Sequence, residues 1–335
     1  MNDPRPISES EFTKRVTPAV RLFLSVDLEN STRLKHSPTS KGEEWLTAVI
    51  LFARQFPQLL DAQLQERARL SGHPVPTLPP IWKMLGDELI FVTVIDRATQ
   101  AAVYIESFQS ALRIWNQDVT NEAVTNGSSR GKLRVKGAAW LAGFPIVNVV
   151  LDAGDGREDY AGPSLDAGFR IARLATPRKL AISVDLAWLL LKSNFKSDAN
   201  GLILFSGPAH LKGLAEESGY PFLWIEVGVS KYLESERKLL GYGGQTDKDA
   251  MLALCEHFIH EFGVPRHLPF LADDPEFSAK PPNYDDDLIV RTEFLRQNVY
   301  VVDEPDQIQP EVPRSDLSKD QLLSQLDALD ARPNP

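Results

Sequence analysis

Hydrophobic and polar positions switch between two periods along the first two-thirds of the chain. Residues Arg21 to Leu28 (RLFLSVDL) are short, apolar and β-branched with one acid, which predicts a buried strand. From Glu43 to Leu70 the residues Trp45, Val49, Phe52, Phe56 and Leu60 fall on or near one helical face. The next ten residues, SGHPVPTLPP, hold four prolines and can join neither a helix nor a central strand. Two short strands follow, Pro80–Met84 and Leu89–Ile95, joined through Leu85-Gly86. Helical spacing returns from Arg97 to Asp118, a strand covers Leu133 to Leu141, and Pro163 to Ala175 reads as a helix. Lys179–Val184 is a strand, Asp185–Lys192 a short helix, and Ile203–His210 with Phe222–Val227 a closing hairpin around Lys212-Gly213.

The first half therefore runs β-α-β-β-α-β, which predicts an α+β fold of ferredoxin-like arrangement. After Gly228 the pattern changes to two helix candidates, Lys248–Glu261 and Leu288–Asn298, among prolines and the acidic run Asp285-Asp286-Asp287. A weak helix capped by Ser315 closes a tail rich in Pro, Asp and Gln. The expected organisation is an N-terminal extension at residues 1–19, a catalytic domain at 20–228, and an appended helical segment with an acidic, Pro-rich tail at 229–335.

Composition narrows the class. The chain has 335 residues, 43% of them hydrophobic and 24% charged, which excludes wholesale disorder. Its lone cysteine, Cys255, rules out a disulfide framework and a Cys-rich zinc site and fits a reducing compartment. A net charge of −10 argues against general nucleic-acid binding, which Lys and Arg drive by neutralising phosphates. The polar first twenty residues lack a signal peptide, and no apolar run approaches a membrane span, so a soluble, cytoplasmic protein without a membrane partner is expected.

Two acids carry the candidate chemistry. Asp27 ends an apolar strand, where a carboxylate is costly unless something neutralises it. Asp87, in WKMLGDELIF, follows a glycine turn beside another buried strand. Each alone reads equally well as a turn or cap residue. If the strands are sheet neighbours, the pair can hold one or two hard divalent cations. The polar turn Asp27–Thr32 (DLENST) can also direct successive main-chain N–H groups at a phosphate, and Asn30 tolerates positive φ better than most residues.

These segments resemble class III nucleotidyl cyclases. VDLENST is similar to the family's Asp-hydrophobic-x-Gly-Ser/Thr-Thr element, and WKMLGDELIF to its Lys-x-x-Gly-Asp hairpin. DYAGPSLDAGFRIARLATPRKLAISVDL is similar to its Asp-x-x-Gly-x-x-x-Asn-x-x-x-Arg helix with the following strand, and HLKG to its late Lys-Gly arm. All four stand in family order across residues 20–228. The GPSLDAGFRIA wording most resembles the bacterial pyrimidine cyclases of Pycsar anti-phage defence.

The resemblance implies that Asp27, Asp87 and the Leu28 carbonyl hold two ions, Mn²⁺ or Mg²⁺. One ion would lower the pKa of the ribose 3′-hydroxyl and the other would hold the β and γ phosphates. It further implies that Arg170 stabilises charge on the α-phosphate and that Lys212 contacts the triphosphate. Lys83 and Asp159 would read the base, and the turn residues Glu29, Asn30, Ser31 and Thr32 would face the nucleotide. Separately, aromatic neighbours such as Phe23, Trp82 and Tyr160 would narrow the pocket for a smaller base. Asp166 stands where the family usually has Asn. A carboxylate there is repelled by a triphosphate, so it must pair with Arg170 or another cation, or point elsewhere. Asp166 and Arg170, four apart on a helix, equally suit an ordinary surface ion pair, Lys83 and Lys212 solvated turns, and Asp159 a loop.

The leading expectation is a uridylate cyclase that converts UTP to 3′,5′-cyclic UMP. Cytidylate cyclase acting on CTP comes next, then adenylate cyclase, then a non-catalytic nucleotide-binding homologue. The first class implies a separate effector that binds the cyclic nucleotide. In the family, metal-holding acids of one protomer face the base-reading and Arg residues of the other, which implies a C2 homodimer.

Overall fold

The structure is a computed structural model, and it describes residues 6–36, 43–71, 76–126, 133–152, 157–193, 203–215, 218–228, 231, 235, 238–239, 247–262 and 269–302. The expected helix at Ser315 lies outside the described residues.

Strand β1 (Ala19–Leu28) leads through the short helix α2 (Ser31–Lys35) and the long helix α3 (Glu43–Ser71) to the hairpin β2 (Ile81–Leu85) and β3 (Glu88–Ile95). Helix α4 (Ala98–Asn126) then returns to β4 (Val135–Phe144). These four strands lie in the order β2-β3-β1-β4, antiparallel throughout, which is the ferredoxin-like arrangement expected from the pattern. Strands β7 (Lys179–Ile182), β9 (Tyr220–Glu226) and β8 (Ile203–Ala209) extend the sheet beyond β4 to seven strands. Two elements escape the periodicity: helix α1 (Glu9–Val16) and the small hairpin β5 (Val149–Asp152) with β6 (Glu158–Ala161). Four-residue strands are too short to display an alternation.

The two faces of β1 have opposite fates. Leu22, Leu24, Val26 and Leu28 are at most 2% exposed and face the long helices; Leu24 lies opposite Phe91, whose ring packs on Phe56 of α3. Phe56 in turn meets Phe108 and Trp115 of α4 edge-on. The alternate positions Arg21, Phe23, Ser25 and Asp27 turn to the other face. There Phe23 stacks on Trp140, directly opposite on β4, at 5.5 Å and 3°. Helix α5 (Pro163–Ala172) closes this face, with Gly168 lying against the Trp140 indole. Helix α6 (Val184–Lys192) packs against α4 and β4, and helix Lys248–Phe262 packs on α6, where Trp188 donates to Glu256 at 3.0 Å.

By compactness the described residues fall into two units. Residues from Arg15 to Phe294 form the larger one. Residues 6–14 and 295–302 form the other, held by a bridge between Ile7 and Val302, the edge-on rings of Phe12 and Tyr300, and the Glu9–Arg296 ion pair. Among the described residues, no helix is long and apolar enough to cross a membrane.

The fit of α5 gives a direct test. A methyl group at 168 would lie 2.3 Å from the Trp140 ring, and that ring is fixed between Phe23 and Phe169. Gly168→Ala is expected to cost about 1–3 kcal/mol in urea unfolding with an unchanged slope, as overpacking does.

Candidate active site

The apolar pattern of β1 ends at Asp27 because the sheet there runs into the β2–β3 turn. In register, Asp27 lies opposite Glu88 on β3 and Lys136 on β4. The Leu28 amide donates to the Asp87 carbonyl at 3.2 Å, tying the turn to the end of β1. This sets the Asp87 carboxyl near enough to Asp27 to raise its pKa, as a neighbouring like charge does. Lys136 Nζ sits 3.1 Å from Asp27 Oδ2, and Ser31 Oγ donates to Asp87 Oδ2.

The electrostatics follow from that crowding. Burial pushes the Asp27 pKa up from its ordinary 3.8; Lys136 opposes the shift and the adjoining Asp87 adds to it. Glu88 is likewise raised from 4.5, chiefly by burial, although Ser25 Oγ donates to it at 2.5 Å. Three carboxyls thus share one end of the sheet with the Lys136 ammonium beside them. An oxygen-only, negatively charged donor set of this kind fits a hard divalent cation, with Asp27, Asp87 and the Leu28 carbonyl as the expected ligands. Among the described residues, no group of three or more His, Cys, Asp or Glu is arranged to hold a metal ion, so such a site relies on two side chains and the main chain. Glu88 and Lys136 were not expected from the sequence, although a lysine inside the apolar strand RVKGAAWLAG marks a half-buried counter-charge.

Asn30 adopts φ 63° and starts α2, as its tolerance of positive φ foretold. Of its neighbours, Glu29 pairs with Arg134 at 2.7 Å, Ser31 is buried against Asp87, and Thr32 is exposed. The Ser31 side chain therefore braces Asp87, while Glu29 is held by Arg134.

A second group lies on the same face. Lys83 Nζ contacts both oxygens of Asp159, at 2.7 and 2.9 Å. Its ammonium also stands 4.5 Å from the centre of the Trp82 ring. Asp159 is on β6, so the unforeseen small hairpin is what delivers it. Tyr160 packs beside Trp82 with ring centres 5.1 Å apart, and burial pushes its hydroxyl up to about 12. Phe23 departs from the expected pocket-lining role. It is 0% exposed and enclosed by Trp82, Trp140 and Tyr160, so it supports the Lys83–Asp159 pair from beneath instead of facing a ligand.

The third group sits on α5. Arg170 forks onto Asp166 at 2.8 and 3.1 Å, and its other nitrogen donates to the Lys212 carbonyl. The required partner for Asp166 is thus Arg170. The Lys212 side chain is exposed.

No family model matches the chain, and no curated protein matches it. Solved structures do. The chain is similar to the adenylyl cyclase CyaB from P. aeruginosa at 13% identity and a TM-score of 0.42, over 64% of this chain and 97% of that one. It is similar to the guanylyl cyclase Cya2 at 17% identity and 0.40, over 64% and 95%. A bacterial light-regulated adenylyl cyclase matches at 12% and 0.43, over 67% and 98%.

Metal binding at the acid pair would carry a pH signature. Groups with raised pKa favour the protonated folded state, so their contribution is present below the ordinary values of 3.8 and 4.5 and is lost as pH rises through the folded values. A cation reverses this by pairing with the ionised forms. Mn²⁺ should therefore raise the melting temperature more at pH 7 than at pH 4.5, and Asp87→Ala should remove the increment, measured by scanning calorimetry.

Proposed function

We propose that the chain is a nucleotidyl cyclase that converts UTP to 3′,5′-cyclic UMP and pyrophosphate. The observation that carries this reading is the meeting of Asp27 and Asp87 at one end of the sheet, with Lys83–Asp159 and Asp166–Arg170 on the face it opens onto.

Bound at Asp27, Asp87 and the Leu28 carbonyl, two divalent ions would acidify the ribose 3′-hydroxyl and offset the phosphate charge. The protein's own share is positioning and charge. The 3′-oxygen forms a bond to the α-phosphorus, the bond to the bridging β-oxygen breaks in line, the hydroxyl proton is released and pyrophosphate departs. Arg170 carries the positive charge that meets the α-phosphate, and Asp166 holds its guanidinium in plane until then. Lys212 reaches the departing phosphates. Lys83 donates to a base carbonyl and Asp159 accepts from the neighbouring ring N–H, which matches the O4 and N3 edge of uracil. That pair suits cytosine and adenine as well; the rings of Trp82 and Tyr160 beside it favour the smaller base.

The full site is built between two copies in a head-to-tail C2 homodimer, each supplying its acid pair to the other's α5. The GPSLDAGFRIA segment supports a place in anti-phage signalling, the product being read by a separate effector.

Purified protein with Mn²⁺ and each nucleoside triphosphate in turn is expected to yield cyclic UMP from UTP. Cyclic AMP alone would refute the pyrimidine reading. Asp87→Ala should lower turnover at least about a thousandfold while leaving the dimer intact, since it removes a ligand for both ions. Mixing inactive Asp87→Ala with inactive Arg170→Ala should restore about a quarter of wild-type activity, because half the dimers are mixed and each carries one intact site. Failure to complement would exclude sites shared between copies.

A further inference from the structure

A cavity of about 320 Å³ opens at the other end of β1. Val20 lines it, and Asp27 stands seven positions farther along β1, roughly 24 Å of extended strand, so it is distinct from the acid pair. Its walls come from the starts of β1, α5 and α6 and the end of β4. Its roof comes from the C-terminal segment, through Phe258, Phe262, Phe270 and Tyr284. The volume falls within the range of small-molecule sites.

The charges on the described lining residues have one sign. Asp185 sits deep, with part of its surface turned to the cavity, while Asp96 and Asp273 are exposed near the opening. Among the described lining residues there is no Lys, Arg or His. Asp185 accepts from the Leu186 amide at 3.0 Å and from the Ser183 hydroxyl, and burial still raises its pKa to about 6. Nearby Tyr220 donates no charge, its own ionisation being pushed up by burial and by Asp185. A carboxylate on the wall of an aromatic-lined cavity, with no cation among the described lining residues, is an arrangement that a bound cation relieves.

We propose that this cavity binds a small organic cation: a protonated amine with a compact apolar body, its ammonium on Asp185 and its body under the rings of the C-terminal segment. The site also touches the catalytic helix. Pro163, Ser164 and Ala167 line the cavity, while Asp166 and Arg170 occupy other positions of the same α5. Filling the cavity therefore ties the C-terminal segment to α5 and sets the stance of Arg170. This regulatory step rests on the cyclase reading; the binding step does not.

The test uses the full chain and three probes of matched length: hexylamine, hexanol and hexanoate, followed by isothermal calorimetry. Hexylamine should bind about tenfold or more tightly than hexanol, the worth of one charge-assisted contact, and hexanoate should not bind. Asp185→Asn should erase the advantage of the amine over the alcohol. A second variant guards against misfolding: a Cβ at Gly143 meets nothing within 4 Å, so Gly143→Leu grows into the void. It should keep the wild-type melting temperature and lose hexylamine binding. Equal binding of hexylamine and hexanoate, or amine binding that survives Gly143→Leu, would overturn the site. Hexylamine should still bind Asp87→Ala, so loss of cyclisation and loss of the amine site are told apart. Saturating hexylamine should change the Mn²⁺-dependent rate in wild type and not in Gly143→Leu; an unchanged wild-type rate would overturn the coupling to α5.

Discussion

Two carboxyls pressed together at the end of a buried strand are the constraint around which this molecule is arranged. Folding alone would avoid that contact, since burial and mutual repulsion both oppose ionisation of Asp27. The surroundings offset it only in part. Lys136 supplies one positive charge, Ser31 one donor, and Glu88 adds a further acid. The sheet tolerates the strain because the opposite face of β1 is packed against α3 and α4 with almost no exposure, so the strand end cannot drift. A local electrostatic deficit held in place by a rigid core is the usual physical mark of a site built for a charged ligand.

The same sheet then orders the remaining groups. Aromatic side chains at alternate positions of β1, β2 and β4 form a platform of Phe23, Trp82 and Trp140 beneath the Lys83–Asp159 pair. Helix α5 rests on that platform through Gly168, where any side chain would lift the helix and with it Arg170. The bulky residues thus set the height of the charged ones. Burial energy is spent on placing a few polar atoms whose own contacts, mostly half-exposed ion pairs, contribute little to stability.

Most of this was readable in the chain itself. Strand and helix periods from Arg21 to Leu141 foretold the β-α-β-β-α-β order; Asp27 and Asp87 could be linked only on the condition that their strands were neighbours, which the pairing of β1 with β3 meets. What escaped did so for identifiable reasons. The hairpin carrying Asp159 is four residues a side and shows no alternation. Lys136 and Glu88 become neighbours of Asp27 only through register, which no local pattern specifies. Phe23 looked like a pocket wall because an aromatic near a motif reads the same whether it faces a ligand or other rings; only its three ring neighbours decide for the core.

The C-terminal segment gains meaning from the same logic. Its helix Lys248–Phe262 packs on α6 through Trp188, and its rings close over a space whose described charges are all negative. A segment that served only as a cover would gain most by filling that space with side chains, since a void forfeits dispersion contacts on every wall. Leaving it open over Asp185 sacrifices packing, just as bringing Asp27 to Asp87 sacrifices charge balance. One end of β1 crowds carboxyls beside a single lysine, and the described charges bordering the cavity at the other end are all acidic. Helix α5 borders the cavity through Pro163, Ser164 and Ala167 and carries Arg170 farther along the same rigid element, so occupancy of the cavity has a short path to that guanidinium.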